Sequence, residues 1–352
     1  MDKRVIFAVA GSGKTTHIVE NLSFNKKTLI VTYTTGNCEN LRAKILTKFN
    51  DEWPKNVTLM SYFTFLYSFC YKPFVADKLK TKGILYDKDV INGYQSQKRK
   101  SINKDKTLFY MTAHIGGYLF SNRLAYLIQN RLIGDVKDRL VKYFDEFIVD
   151  EVQDIAGRDF NFLECLMSTD INMLFVGDFY QHTFDTSNDG NTNQGLFRCK
   201  NAYEQRFSKN GMLVDKCTLI KSWRCSINVC DYIRKYLGIE IYSNRSNDDN
   251  TKIEYITDML QLDSILSNED VSKLHYEDGA KFRITHGNWG ASKGEDHHNN
   301  VCVFLNNKTM KKQMSGTLDK LSPFTKNKLY VAITRARGDV YFANEESIKN
   351  CN

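Results

Sequence analysis

The chain has 352 residues, 42% of them apolar, and a formal charge of +8, so it can bury two cores of ordinary size. No run of eighteen apolar residues occurs, which argues against a membrane-spanning helix, and the first strand follows Met1 without a leader, so the expected location is cytoplasmic. Nine cysteines with no CxxC pair, the closest being Cys225 and Cys230, exclude a zinc knuckle and a disulfide framework and fit reduced thiols.

In chain order, the first element is an apolar strand over residues 5–8. It runs into AVAGSGKT, residues 8–15, and a helix over 15–22. A glycine-rich loop between a strand and a helix turns backbone N–H groups onto phosphates. Ala10, Gly11, Ser12, Gly13, Lys14, Thr15 and Thr16 are its candidate nucleotide-binding residues: Lys14 neutralises β- and γ-phosphate charge, and the Thr15 hydroxyl ligates Mg²⁺. By itself the loop fits a small-molecule kinase equally well.

A strand over 28–32 leads into TYTTGN, residues 32–37, and a helix over 37–48. The hydroxyls of Thr32 and Thr34, the Asn37 amide and backbone N–H groups there suit a phosphodiester. The segment SYFTF offers Tyr62, Phe63 and Phe65; such rings stack on bases without regard to base identity, and the alternative for Phe63 and Phe65 is core packing. Residues 75–145 break the strand–helix rhythm and read as an insertion. Within them, residues 78–106 carry nine Lys or Arg against three Asp, with Tyr86 and Tyr94 interleaved, which fits either a phosphate-tracking surface or a solvated loop. A helical stretch follows over 122–143.

The strand over 147–150 opens FIVDEVQD. It presents two acids at the edge where a parallel sheet carries its chemistry, Asp150 to hold Mg²⁺ and Glu151 to orient or deprotonate water. After a helix over 158–167, the strand over 172–177 ends in VGDFYQ, where Gln181 can sense a γ-phosphate. Beyond a domain junction placed near Gly211 come SWRCS with Trp223 and Arg224 and a helix over 227–237. An acidic segment follows, read as an insertion at 238–280, because residues 231–280 hold eleven acids against five bases. Strands over 281–285, 301–305 and 340–343 and a helix over 324–336, ending in YVAITRAR, complete the pattern. Alternating strands and helices predict α/β domains with parallel sheets.

AVAGSGKT, TYTTGN, VDEVQD, VGDFYQ, SWRCS, SKGE and YVAITRAR occur in the order found in superfamily 1 helicases of the UvrD/Rep type, and the chain resembles a compact member of that family. The resemblance implies two RecA-like P-loop domains, residues 1–211 and 212–352, with a nucleotide cleft between them, and with ATP and Mg²⁺ as cofactors. It implies that Arg224 and Arg335 hold the γ-phosphate and that Trp223 stacks on the adenine. Thr285, Lys293 and Gly294 match the segment around the family's lysine-glycine pair, with Glu295 or Asp296 in its acidic role, and Tyr62 matches the base-stacking position. Implied partners are single-stranded DNA, with RNA left open, and a nuclease or other protein. The implied direction is 3′ to 5′.

Three departures stand out. HTFDTSND follows Gln181 where the family has an aromatic and an arginine. The segment THGNWGASKGEDHH is longer than its counterpart and carries His297 and His298, which could suggest a metal but, with no ligand set around them in sequence, read as a solvated turn. The insertions are small. These departures keep a second reading open, a nucleotide-switched module that binds DNA or a partner without unwinding; a small-molecule phosphotransferase ranks last, because it leaves Arg335 and TYTTGN without a task.

Overall fold

Five-residue runs of β-branched and aliphatic residues set the first sheet of the computed structural model, which describes residues 1–97, 109–112, 117–183, 192–246, 250–276, 287–295 and 297–348. The chain divides into two units. Unit 1 comprises Met1–Ile6, Thr15–Val176 and Asp185–Asp215, and unit 2 comprises Phe7–Lys14, Gly177–Phe184 and Lys216–Asn352. The glycine-rich loop up to Lys14, and the segment that carries Gln181, thus group with unit 2.

In unit 1, Lys3–Phe7 (β1), Thr28–Thr32 (β2) and Val57–Ser61 (β3) precede a separate parallel pair, Gly83–Leu85 (β4) with Tyr118–Phe120 (β5). Glu146–Asp150 (β6), Asn172–Gly177 (β7) and Leu213–Asp215 (β8) complete a six-stranded sheet in the order β3-β2-β6-β7-β1-β8. Every pairing described in it is parallel. All five residues of β2 are buried, as a strand covered on both faces requires. Phe147 stacks on Phe65 at 5.6 Å and meets Phe175 edge-on at 5.8 Å, tying the sheet to the π-helical turn Phe65–Tyr71. The order leaves β7 between the strand that enters the phosphate loop and the strand that carries Asp150, the build expected of a RecA-like domain.

Unit 2 holds a short pair, Lys221–Ser222 (β9) with Tyr242–Ser243 (β10), and a five-stranded parallel sheet. That sheet is built from Ile253–Ile256 (β11), Val271–His275 (β12), Gly287–Asn288 (β13), Asn300–Leu305 (β14) and Val340–Asn344 (β15), ordered β11-β15-β14-β12-β13. Alternation along β14 sends Val301, Val303 and Leu305 into one core and Cys302 and Phe304 into another, so both faces are covered. The α/β class with two parallel sheets therefore stands as predicted.

Two expectations about elements change. The acidic segment 238–280 is no mere insertion, because it supplies β11 and β12, and β12 lies inside the sheet between β14 and β13. Among its described residues Glu254 lies on β11 and Asp263 on the helix Met259–Ser267, while Ile256, Leu262, Ile265, Val271 and Leu274 are buried. The helical stretch 122–143 is two helices, Ser121–Arg131 and Ile133–Tyr143, broken at Leu132. The predicted strand 281–285 lies outside the described residues.

Candidate functional site

The glycine-rich loop, the candidate phosphate binder, is held from within unit 2. Ala8 N–H donates to the Gly177 carbonyl (2.8 Å) and Val9 N–H to the Leu219 carbonyl (3.0 Å), anchoring the loop entrance. The loop then turns through two left-handed residues, Gly11 at φ 68° and Gly13 at φ 84°. Trp223 N–H donates to the Gly11 carbonyl (2.8 Å). A Cβ placed on Gly11 would stand 2.6 Å from Arg224 Cβ and 2.7 Å from Ser222 Oγ, so both conformation and space require glycine there. The SWRCS segment is thereby pressed against the loop backbone. The helix after the loop runs over Lys14–Glu20.

A relay of hydrogen bonds joins the loop to Gln181. Ala10 N–H donates to the Tyr330 hydroxyl (2.9 Å), which donates to Asp178 Oδ2 (3.0 Å). The same carboxylate oxygen accepts from Gln181 Nε2 (3.0 Å), and Asp178 Oδ1 accepts from Tyr180 N–H (3.0 Å). Burial first, and the Asp178 charge second, push the Tyr330 hydroxyl well above its ordinary range, so it stays a donor at every working pH. Tyr330 and Asp178 are functional candidates that sequence reasoning left without a role, although both lie in quoted motifs. Their burial, which the motif string does not display, is what marks them.

Arg224 and Arg335 differ in setting. Arg224 Nη1 donates to the Thr334 carbonyl (3.1 Å). Arg335 is only 2% exposed, and its Nη1 donates to the carbonyls of Ser292 (3.3 Å) and Glu295 (2.9 Å), in the segment that holds Lys293 and Gly294. Gly294 is left-handed at φ 89°, and nothing lies within 4 Å of where its Cβ would be. Trp223 is 66% exposed and presents its ring to solvent, whereas Trp289 is fully buried and bonds the Leu274 carbonyl through Nε1 (3.0 Å). Of the two, only Trp223 offers an open π face to a base.

In unit 1 the parallel register aligns Ser61, Thr32, Asp150 and Val176 across one sheet edge. Asp150 and Thr32 are buried there. Glu151, one residue beyond, adopts φ 55° and ψ 47°, a left-handed conformation rare for glutamate, and its carboxylate accepts a hydrogen bond from Gln153 Nε2. Thr16 Oγ1 accepts from Lys44 Nζ (3.2 Å). Thr15, at the start of unit 1's second segment, lies in the first turn of the helix Lys14–Glu20.

The nucleic-acid candidates separate into three kinds. Thr34 Oγ1 accepts from Asn37 N–H (3.2 Å) as the N-cap of helix Thr35–Lys48, so that hydroxyl has a structural task beside any phosphate contact. Tyr62 is 2% exposed and stacks on Tyr33 with ring centroids 5.5 Å apart, which removes its ring from solvent. The half-buried Phe63 instead meets the exposed Tyr86 edge-on at 5.0 Å, so the aromatic surface left partly open here is that of Phe63, Tyr33 and Tyr86. Thr285 and Phe184 lie outside the described residues, as do residues 98–106 of the basic run; the side chain of Tyr94 does too.

No protein-family model matches the chain, and no curated protein matches it in sequence. Among solved structures, the helicase of PRRSV is similar with TM-score 0.46 and 14% identity, covering 97% of this chain and 52% of its own. Arterivirus nonstructural protein 10, a helicase solved in complex with DNA, is similar with TM-score 0.49 and 13% identity over 97% of this chain and 61% of its own. The same arterivirus helicase in a further crystal structure gives 0.46 and 14%, over 99% of this chain and 61% of its own. The chain thus spans between half and two thirds of the solved chains it resembles.

Proposed function

We propose that this chain is an ATP-driven motor of the superfamily 1 helicase type that translocates on single-stranded DNA in the 3′ to 5′ direction. The observation that carries the reading is the relay Ala10–Tyr330–Asp178–Gln181. It wires a phosphate loop to an amide placed to report phosphate state, through a residue of the arginine-bearing YVAITRAR segment. A small-molecule kinase has no use for such wiring, since it need not couple phosphate state to a second task.

In this reading Lys14 and the N–H groups of the loop bind the β- and γ-phosphates, and Trp223 stacks on the base. The buried Ser12 hydroxyl has no partner among the described residues, which fits a group reserved for a phosphate oxygen. Thr15 and Asp150 supply the hydroxyl and carboxylate that suit Mg²⁺, whose chemistry is to neutralise charge on the β and γ oxygens. Glu151 takes a proton from the attacking water, and Arg224 and Arg335 stabilise charge on the transferring phosphoryl group, an effect worth about 10³ to 10⁵ in rate in related chemistry. Phe63 and Tyr86 stack on bases while Thr32, Thr34 and Asn37 meet phosphodiester oxygens.

The test is ATP turnover measured with no nucleic acid, single-stranded DNA, duplex DNA or RNA across a salt series. Single-stranded DNA is expected to stimulate most, with log affinity falling by about 0.7 per phosphate neutralised for each tenfold rise in salt. Turnover indifferent to all four would overturn the reading. One observation favours the alternative of a nucleotide-switched module without unwinding. Arg335 is held on two backbone carbonyls, and an arginine that must be released before it can meet a phosphate suits a switch as well as a motor. Displacement of a protein bound at a DNA end, driven by ATP, distinguishes the motor from the switch.

A further inference from the structure

The turn after Gly294 gathers three side chains, of which Glu295 is a candidate for the acidic role in the lysine-glycine segment and the two histidines have no task. Glu295, His297 and His298 each offer one ligand atom, and these atoms all lie within 4.8 Å of one another. We infer that they form a binding site for a divalent transition metal of the Zn²⁺ class.

Two imidazoles and one carboxylate are a donor set that first-row divalent metals take, with solvent free to fill a fourth position. The anchoring is built into the fold. His298 is buried, and its Nδ1 is hydrogen-bonded to the Ser272 hydroxyl (2.7 Å) on β12, which fixes the ring and directs Nε2 to Glu295 Oε2 (2.7 Å). An outer-sphere partner on the non-ligating nitrogen is the usual way a protein orients a metal-binding histidine. The Glu295 backbone is tied as well, because its carbonyl accepts from Arg335 Nη1 (2.9 Å). The His297 ring lies beside that of His298 with centroids 4.1 Å apart.

A metal with bonds of about 2.0 Å in tetrahedral geometry needs neighbouring ligand atoms about 3.3 Å apart. The Glu295–His298 pair must therefore open slightly, and the Glu295 side chain, 44% exposed, is free to swing outward. In the metal-free protein the proton between that pair occupies the lone pair a cation needs; for Nε2 to ligate, the ring carries its proton on Nδ1 instead, where the Ser272 hydroxyl accepts it.

The experiment uses the full chain with Co²⁺ and Zn²⁺ as probes. The absorption spectrum follows Co²⁺, and calorimetry and thermal melting follow Zn²⁺. One equivalent of Co²⁺ is expected to give visible ligand-field bands without the near-ultraviolet thiolate band that cysteine ligation produces. Zn²⁺ should raise the melting temperature in a concentration-dependent way. Because Glu295 and His297 are exposed, the double variant Glu295→Gln/His297→Ala should fold normally by circular dichroism and lose this equivalent. Ser272→Ala should weaken it by about tenfold. Failure of the parent to bind, a thiolate band in its Co²⁺ spectrum, or unchanged affinity in the double variant would each overturn the site.

Discussion

The phosphate loop and the turn at Glu151 both pass through left-handed backbone, and they do so by opposite means. In the loop, Gly11 and Gly13 adopt positive φ at no steric cost, and the space beside Gly11 is filled by Ser222 and Arg224. At the acid turn a glutamate takes the same conformation, at a cost of about 1 to 2 kcal/mol. Glycine was available at either position. Among the positive-φ residues of unit 1, Glu151 is set apart by its place directly after the buried Asp150 at the sheet edge, which makes its carboxylate a catalytic candidate.

That contrast can be broken or sharpened by substitution. The largest expected effect is on catalysis: Glu151→Gln should lower turnover by about 10² to 10⁴ while nucleotide affinity, read by equilibrium binding, stays unchanged. Glu151→Gly should be as inactive. Its folding free energy in urea titrations should nevertheless stay within about 1 kcal/mol of the parent, because relief of strain offsets the added chain entropy. Gly11→Ala should behave in the reverse sense. Overlap with Ser222 and Arg224 is expected to cost about 1 to 3 kcal/mol of stability and to weaken nucleotide binding with it. Normal stability in that variant would show that the loop and SWRCS are not pressed together as described.

Smaller effects are expected at the aromatic surfaces. Phe63→Ala should reduce affinity for single-stranded DNA by about 1 to 3 kcal/mol in fluorescence anisotropy, with only a modest fall in the melting temperature because the ring is half-buried. The smallest is Trp223→Ala, which should weaken nucleotide binding by about 0.5 to 1.5 kcal/mol and leave stability untouched, since its ring is exposed.

Much of the fold was legible because its strands are short apolar runs. Residues 28–32 and 172–177 are strands with the predicted bounds, and the strands around 147, 301 and 340 differ by a residue or so at their ends. The strands that escaped are those whose sequence is mixed. Val271–His275 hides a sheet-interior strand behind Lys273 and His275, both buried, and the lysine reaches the Asn268 carbonyl instead of solvent. Long polar side chains that bend back to a backbone acceptor defeat a reading based on alternation. In the candidate site, motif spacing singled out the glycine-rich loop, Glu151, Gln181 and the arginines as candidates, but it could not tell the burial of Tyr62 from that of Phe63. Two adjacent aromatics look alike in a string, and only the packing of Tyr33 over Tyr62 decides which ring reaches solvent. Likewise His297 and His298 read as a solvated turn until Ser272, twenty-six residues earlier, is seen to hold the second ring.

The most direct test of the account is Tyr330→Phe, which removes a single oxygen and cuts the relay between the Ala10 N–H and Asp178. Single-stranded-DNA-stimulated ATP turnover should fall toward the unstimulated rate in this variant, because the loop and Gln181 no longer respond together, while the protein remains folded. Full stimulation by DNA in Tyr330→Phe would contradict the claim that phosphate state is reported through this hydroxyl.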